Sequence, residues 1–239
     1  MKVLSFSETG CVRKNNEDSL LVLPQYGLYA VADGMGGHRA GEVAAHTALE
    51  VLAEAAPEIE SLEGDAVLAW VKQASIKANR RVFEASTVNP ENEGMGTTLT
   101  ALVFKADQVV IAHVGDSRGY LWRGEKLIPL TVDHSLVEEL VRRGQISEEE
   151  AEKHPQRHVL VRAVGASQTV EVDSSCLDCQ PGDVFLLCTD GFTNVITEQE
   201  LIQEFSQTGS WEEHFERMRQ LILERGAPDN FTALCCIME

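Results

Sequence analysis

The chain has 239 residues, and 20 Lys and Arg stand against 38 Asp and Glu, a formal charge of −18 at pH 7. That balance excludes nucleic acid as a partner, because such binding draws on clustered cations over phosphates and no basic run here exceeds Arg80-Arg81 or Arg142-Arg143. It also leaves no membrane span: apolar stretches such as Leu28 to Ala32 and Val184 to Cys188 fall far short of the roughly 20 residues needed, while 44% hydrophobic residues suffice for a globular core.

The first residues, Met1 to Ser7, carry no apolar leader core and no small-residue cleavage site, so the cytoplasm is the expected location. Strands are predicted at Leu20 to Leu23 and Leu28 to Ala32. Helices are predicted at Gly41 to Ala56 and at Asp65 to Ala85, where Val67, Val71, Ala74, Ala78 and Val82 recur at helical spacing. Further strands follow at Thr97 to Phe104, Val109 to Val114, Tyr120 to Trp122 and Leu127 to Leu130. The turns Lys105-Ala106-Asp107 and Arg123-Gly124-Glu125 are short enough to make hairpins, hence antiparallel pairing.

Gly144 to Gly165 is poor in core residues and reads as a short helix within an exposed excursion. Cys176 and Cys179 form a C-x-x-C, but no second ligand pair and no following helix support zinc or redox chemistry. Cys188, Cys235 and Cys236 lie in apolar runs, so reduced thiols are expected. A strand at Val184 to Cys188 precedes two helices announced by capping boxes, Thr197 with Glu200 and Ser210 with Glu213, and a last strand occupies Phe231 to Ile237. No linker or repeat breaks the chain, which gives a single α+β domain over 1–239.

Chemistry is signalled by strands that run into aspartate. Leu28 to Ala32 ends at Asp33-Gly34, Val109 to Val114 at Gly115-Asp116, and Val184 to Thr189 at Asp190-Gly191, while Asp229-Asn230 opens the last strand. One Asp-Gly is an ordinary turn dipeptide. Recurring carboxylates at strand ends are costly unless paired or bound to a cation, and an oxygen-only set suits Mg²⁺ or Mn²⁺ rather than zinc. Glu17-Asp18, before the strand at Leu20, adds another acidic pair. Gly115-Asp116-Ser117-Arg118-Gly119 matches G-x-S-x-G, but a hairpin rather than a helix follows, so Ser117 is not expected to be a nucleophile. The glycines near Asp33 do not fit a dinucleotide fingerprint, and no Walker sequence occurs.

Seven motifs in order resemble those of the bacterial type 2C protein phosphatases, the metal-dependent Ser/Thr phosphatases of the PPM family. They are Arg13-x-x-Asn16-Glu17-Asp18, Val31 through His38, Gly94 through Thr98, His113 through Arg118, Leu130-Thr131-x-Asp133-His134-Ser135, Cys188 through Gly191, and Asp229-Asn230. The resemblance implies a four-layer α-β-β-α sandwich of two antiparallel sheets flanked by helices. It implies two Mn²⁺ or Mg²⁺ ions, with a third in bacterial members. Asp33 matches the carboxylate that bridges the two metals and Gly34 the carbonyl ligand; Asp190 and Asp229 match ligands of the other metal. Glu17 and Asp18 match acidic positions that bind metal directly or through water, Asp116 with Asp190 the third site, and Arg13 the residue that grips the substrate phosphate. The implied substrates are phosphoserine and phosphothreonine proteins, opposite a Ser/Thr kinase, with a monomer expected. Many eukaryotic members have His where this chain has Met35, so the leaving-group acid is not assigned to His38 or His134. A silent metal-sensing module and a small-molecule phosphomonoesterase are the alternatives.

Overall fold

The computed structural model describes residues 1–36 and 40–239. Gly37 and His38, which end the second motif, and Arg39 lie outside the described residues. The strands are β1 (Lys2–Glu8), β2 (Asp18–Leu23), β3 (Leu28–Met35), β4 (Gly96–Thr97), β5 (Leu99–Lys105), β6 (Gln108–Val114), β7 (Arg118–Arg123), β8 (Lys126–Pro129), β9 (Asp173–Asp178), β10 (Val184–Cys188) and β11 (Phe231–Ile237). The helices are α1 (Ala40–Ala55), α2 (Asp65–Val88), α3 (Leu136–Arg142), α4 (Glu148–Glu152), α5 (Asp190–Thr193), α6 (Glu198–Phe205) and α7 (Trp211–Glu224).

All strand pairings are antiparallel. One sheet runs β1-β11-β10-β7-β8, the other β2-β3-β5-β6-β9 with β4 against β3. Side-chain alternation along each central strand sorts residues into three apolar layers. Leu28, Ala30 and Ala32 of β3 pack with α1 and α2, whereas Tyr29 and Val31 point the other way. In β10, Phe185 and Leu187 meet those residues between the sheets, while Val184, Leu186 and Cys188 face Phe205, Phe215 and Ile222 of α6 and α7. Both faces of each central strand are therefore buried, which explains continuous apolar runs in place of alternation. The result is the expected α-β-β-α sandwich. Among the described residues, no helix is long and apolar enough to cross a membrane.

Two strands were not anticipated. β1 pairs with β11 along its whole length, and β9 is an exposed edge strand beside β6. Their sequences, KVLSFSE and DSSCLD, are too polar to announce strands; they borrow a ladder from an apolar neighbour. The run expected at Thr97 to Phe104 is split at Thr98, whose N–H donates to Asp33 O at 2.9 Å. The six cysteines are free, and burial pushes Cys179 up to about 11. The excursion contains the short α4, capped by Ser147 and Glu150.

Candidate active site

Loop 9–17, the end of β3, the β6–β7 turn, α5 and the turn before β11 meet around a cleft of about 1020 Å³. Arg13, Glu17, Asp33, Gly34, Asp116, Asp190 and Asp229 all line it. Asp18 lies deeper, 6% exposed and opposite Asp33 in the β2–β3 register. One of its oxygens accepts from the Thr189 hydroxyl at 2.8 Å, and the other, Oδ1, is buried without a partner. A buried carboxylate oxygen left in that state is costly unless a cation takes it.

The electrostatics agree. Burial, then repulsion from Asp18, Asp190 and Asp116, raises Asp33 well above the carboxylate range. Asp18 and Asp116 are each pushed up to about 7, first by burial and then by Asp190. Asp190 is raised by burial although its carboxyl meets that of Asp33, and Glu17 is raised by burial as well. Carboxylates crowded so that they resist ionising form a donor set for hard cations. They line the cleft without closing into a cage: among the described residues, no three His, Cys, Asp or Glu side chains are drawn together as a ready metal site.

Local packing explains why these side chains converge. Neither Asp-Gly forms a hairpin turn: Asp33-Gly34 lies within β3, and Asp190-Gly191 begins α5. A Cβ on Gly34 would sit 2.0 Å from Gly41 O and 2.7 Å from Glu17 O, so only glycine lets loop 9–17, β3 and α1 approach this closely. The Asp33 N–H donates to Thr98 Oγ1 at 2.8 Å, and Thr98 Oγ1 shares a 2.7 Å hydrogen bond with Ser117 Oγ. That buried hydroxyl pair joins the strand of Asp33 to the turn of Asp116. The N–H of Gly115 donates to His134 Nδ1 at 3.0 Å, which gives His134 a structural task. Arg118 forks onto Asp133 at 2.8 to 3.2 Å beside the same turn.

Asn230, next to Asp229 in the last motif, has a role that only the structure reveals. Its Oδ1 accepts from the Glu17 N–H at 2.9 Å and its Nδ2 donates to Thr9 O and Asn15 O, so it fixes the loop bearing Arg13 and Glu17. Sequence separation of more than 200 residues hides that contact. Arg13 bonds Asp229 Oδ2 at 2.7 Å, an ion pair the sequence did not suggest, and keeps a side chain 56% exposed. His158 and Arg162, from the excursion, also line the cleft.

The protein phosphatase 2C family model matches residues 12–231. The chain belongs to the protein phosphatase 2C family. It is 39% identical over 232 residues to the serine/threonine phosphatase stp of Listeria monocytogenes serotype 4b (strain F2365), covering 95% of this chain and 92% of that protein. The crystal structure of the Mycobacterium tuberculosis serine/threonine phosphatase PstP/Ppp superposes with a TM-score of 0.89 at 37% identity, over 100% of this chain and 99% of that one. The catalytic domain of serine threonine protein phosphatase PstP in complex with two manganese ions gives 0.86 at 34%, over 100% and 98%. Within this family fold, the cleft and its carboxylates occupy the rim where both sheets end.

Proposed function

We propose that this chain is a metal-dependent phosphoprotein phosphatase that hydrolyses phosphoserine and phosphothreonine. The observation that carries the proposal is the convergence of Asp18, Asp33, Asp116 and Asp190 with Arg13 and Asp229 around one open cleft. Asp33, Asp190, Asp229, Glu17, Asp18 and the Gly34 carbonyl would hold two Mn²⁺ or Mg²⁺ ions, and Asp116 with Asp190 a third. Bound there, such ions supply a water of lowered pKa and positive charge against the phosphoryl oxygens.

The protein's own residues position the reactants. Arg13, held by Asp229 yet open to solvent, presents a fork suited to two phosphoryl oxygens. Asn230 and Thr98 fix the backbones of Glu17 and Asp33. No side-chain nucleophile is required: Ser117 is fully buried with its hydroxyl on Thr98, and β7 rather than a helix follows it. A silent module would lack one of the expected carboxylates, and each is present at the cleft or behind it.

The catalytic unit spans 1–239, with 144–165 as a flap beside the cleft. The protein acts as a cytoplasmic monomer that reverses a Ser/Thr kinase. Hydrolysis of a phosphothreonine peptide should require added Mn²⁺ and stop with chelator. Turnover that persists in chelator would overturn the mechanism.

A further inference from the structure

One wall of the cleft has no regular structure of its own. Ala163, Ala166, Ser167 and Thr169 line the cleft from residues 163–170, whose backbone, among the described residues, forms a single isolated bridge, Val164 with Thr97. That bridge has N–H to O distances of 2.9 and 2.8 Å, and the Thr97 hydroxyl donates to Asp33 O at 2.9 Å. The wall is thus tied at one point to the strand of the catalytic carboxylate.

Its second tie comes from the outer helical layer. Asn79 of α2, 1% exposed, accepts the Gly165 N–H on Oδ1 at 2.7 Å and donates Nδ2 to Ser167 O at 3.0 Å and Gln168 O at 3.3 Å. Both amide hydrogens are therefore used, and the amide's orientation is fixed by its partners. Next to it, Gly165 has φ +84°, and a Cβ there would lie 2.2 Å from Val82 Cγ1, one helical turn after Asn79. Val71, Ala74, Ala78 and Val82 on the same helix are apolar and buried. An amide among them is costly unless it serves something that an apolar side chain could not.

A phosphoryl group fills little of a cleft this size, which is at the upper end of ligand pockets. The remaining space belongs to the polypeptide around the phosphoresidue. We infer that Asn79 is a positioning residue for the substrate polypeptide: it holds the 163–170 wall in place while touching neither substrate nor carboxylates. This rests on the phosphoprotein reading above and adds to it the device that shapes the peptide side of the cleft.

The test compares a phosphothreonine peptide with p-nitrophenyl phosphate, which carries no polypeptide, at saturating Mn²⁺. Misplacement of a binding wall readily costs tenfold or more, so Asn79→Ala should raise the peptide KM about tenfold and leave p-nitrophenyl phosphate kcat/KM within about twofold. Asn79→Asp keeps the acceptor for Gly165 but faces Ser167 O and Gln168 O with an oxygen, so it should show the same split. Gly165→Ala, with Asn79 intact, should reproduce it by pushing the wall off Val82, and adding Val82→Ala should recover part of the loss. Calorimetric Mn²⁺ affinity should be the same in all variants. Equal losses on both substrates, or an unchanged peptide KM in folded Asn79→Asp or Gly165→Ala, would overturn the inference. An unaltered protein that hydrolyses p-nitrophenyl phosphate but not the peptide would instead overturn the phosphoprotein reading, and the inference with it.

Discussion

Asp33 gathers the repulsion of Asp18, Asp190 and Asp116, so its carboxylate depends most on a bound cation for its charge. Partners in the outer shell of a metal site are worth 10–100-fold, so Asp33→Asn should cost at least about a hundredfold in kcat/KM, with Mn²⁺ affinity falling in parallel by calorimetry. Unchanged affinity would remove Asp33 from the site. Arg13→Ala should chiefly raise KM for the peptide and weaken inhibition by inorganic phosphate, because the fork meets phosphate before and during reaction alike. A loss confined to kcat would contradict that role. Ser117→Ala should keep full turnover but lower stability by about 1–2 kcal/mol, since Thr98 Oγ1 loses its buried partner. Inactivity in a folded Ser117→Ala protein would restore a serine nucleophile. The aspartates were legible because each stands where an apolar run stops or starts. Asn230, Thr98 and Asn79 were not, since each acts through hydrogen bonds to backbone remote in sequence.

Elements were legible in proportion to their own apolar content. α1 and α2 carry buried residues at helical spacing, the central strands carry continuous apolar runs, and both fell close to their predicted bounds. The polar edge β9 is defined by its neighbour, and a strand set by pairing leaves little periodicity of its own. The split between β4 and β5 was invisible for a different reason: Thr98 leaves the ladder to bond Asp33, a demand of the site rather than of local propensity. Caps were readable because their chemistry is local. Thr197 with Glu200 and Ser210 with Glu213 both form reciprocal boxes. Ser210→Ala should therefore lower stability by about 1 kcal/mol, seen as a lower denaturant midpoint with turnover unchanged. A midpoint that does not move would show the Ser210 cap to be idle.

At the scale of the whole molecule, two buried groups of titrating residues oppose each other. His113, 2% exposed and with its ring centroid 4.7 Å from that of His134 at a tilt of 36°, is lowered to about 3 by burial and then by its neighbour. A lowered histidine contributes stability above its ordinary value near 6.5, lost as pH falls toward 3 because the unfolded chain takes the proton first. The carboxylates have the reverse sign. Asp18 and Asp116, both raised to about 7, bind protons more tightly in the folded chain, so their contribution is present below about 4 and is lost as pH rises through 7. Divalent cations compete with those protons. In chelator, the melting temperature should therefore decline from mildly acidic pH toward pH 8, and Mn²⁺ should raise it far more at pH 8 than at pH 5. At a hundredfold excess over Kd the gain is about 2.7 kcal/mol, enough for a shift of several degrees. Asp33→Asn should flatten the Mn²⁺ response, and His113→Gln should flatten only the acid limb. An Mn²⁺ shift equal at both pH values would mean that the cation does not bind where these carboxylates hold their protons.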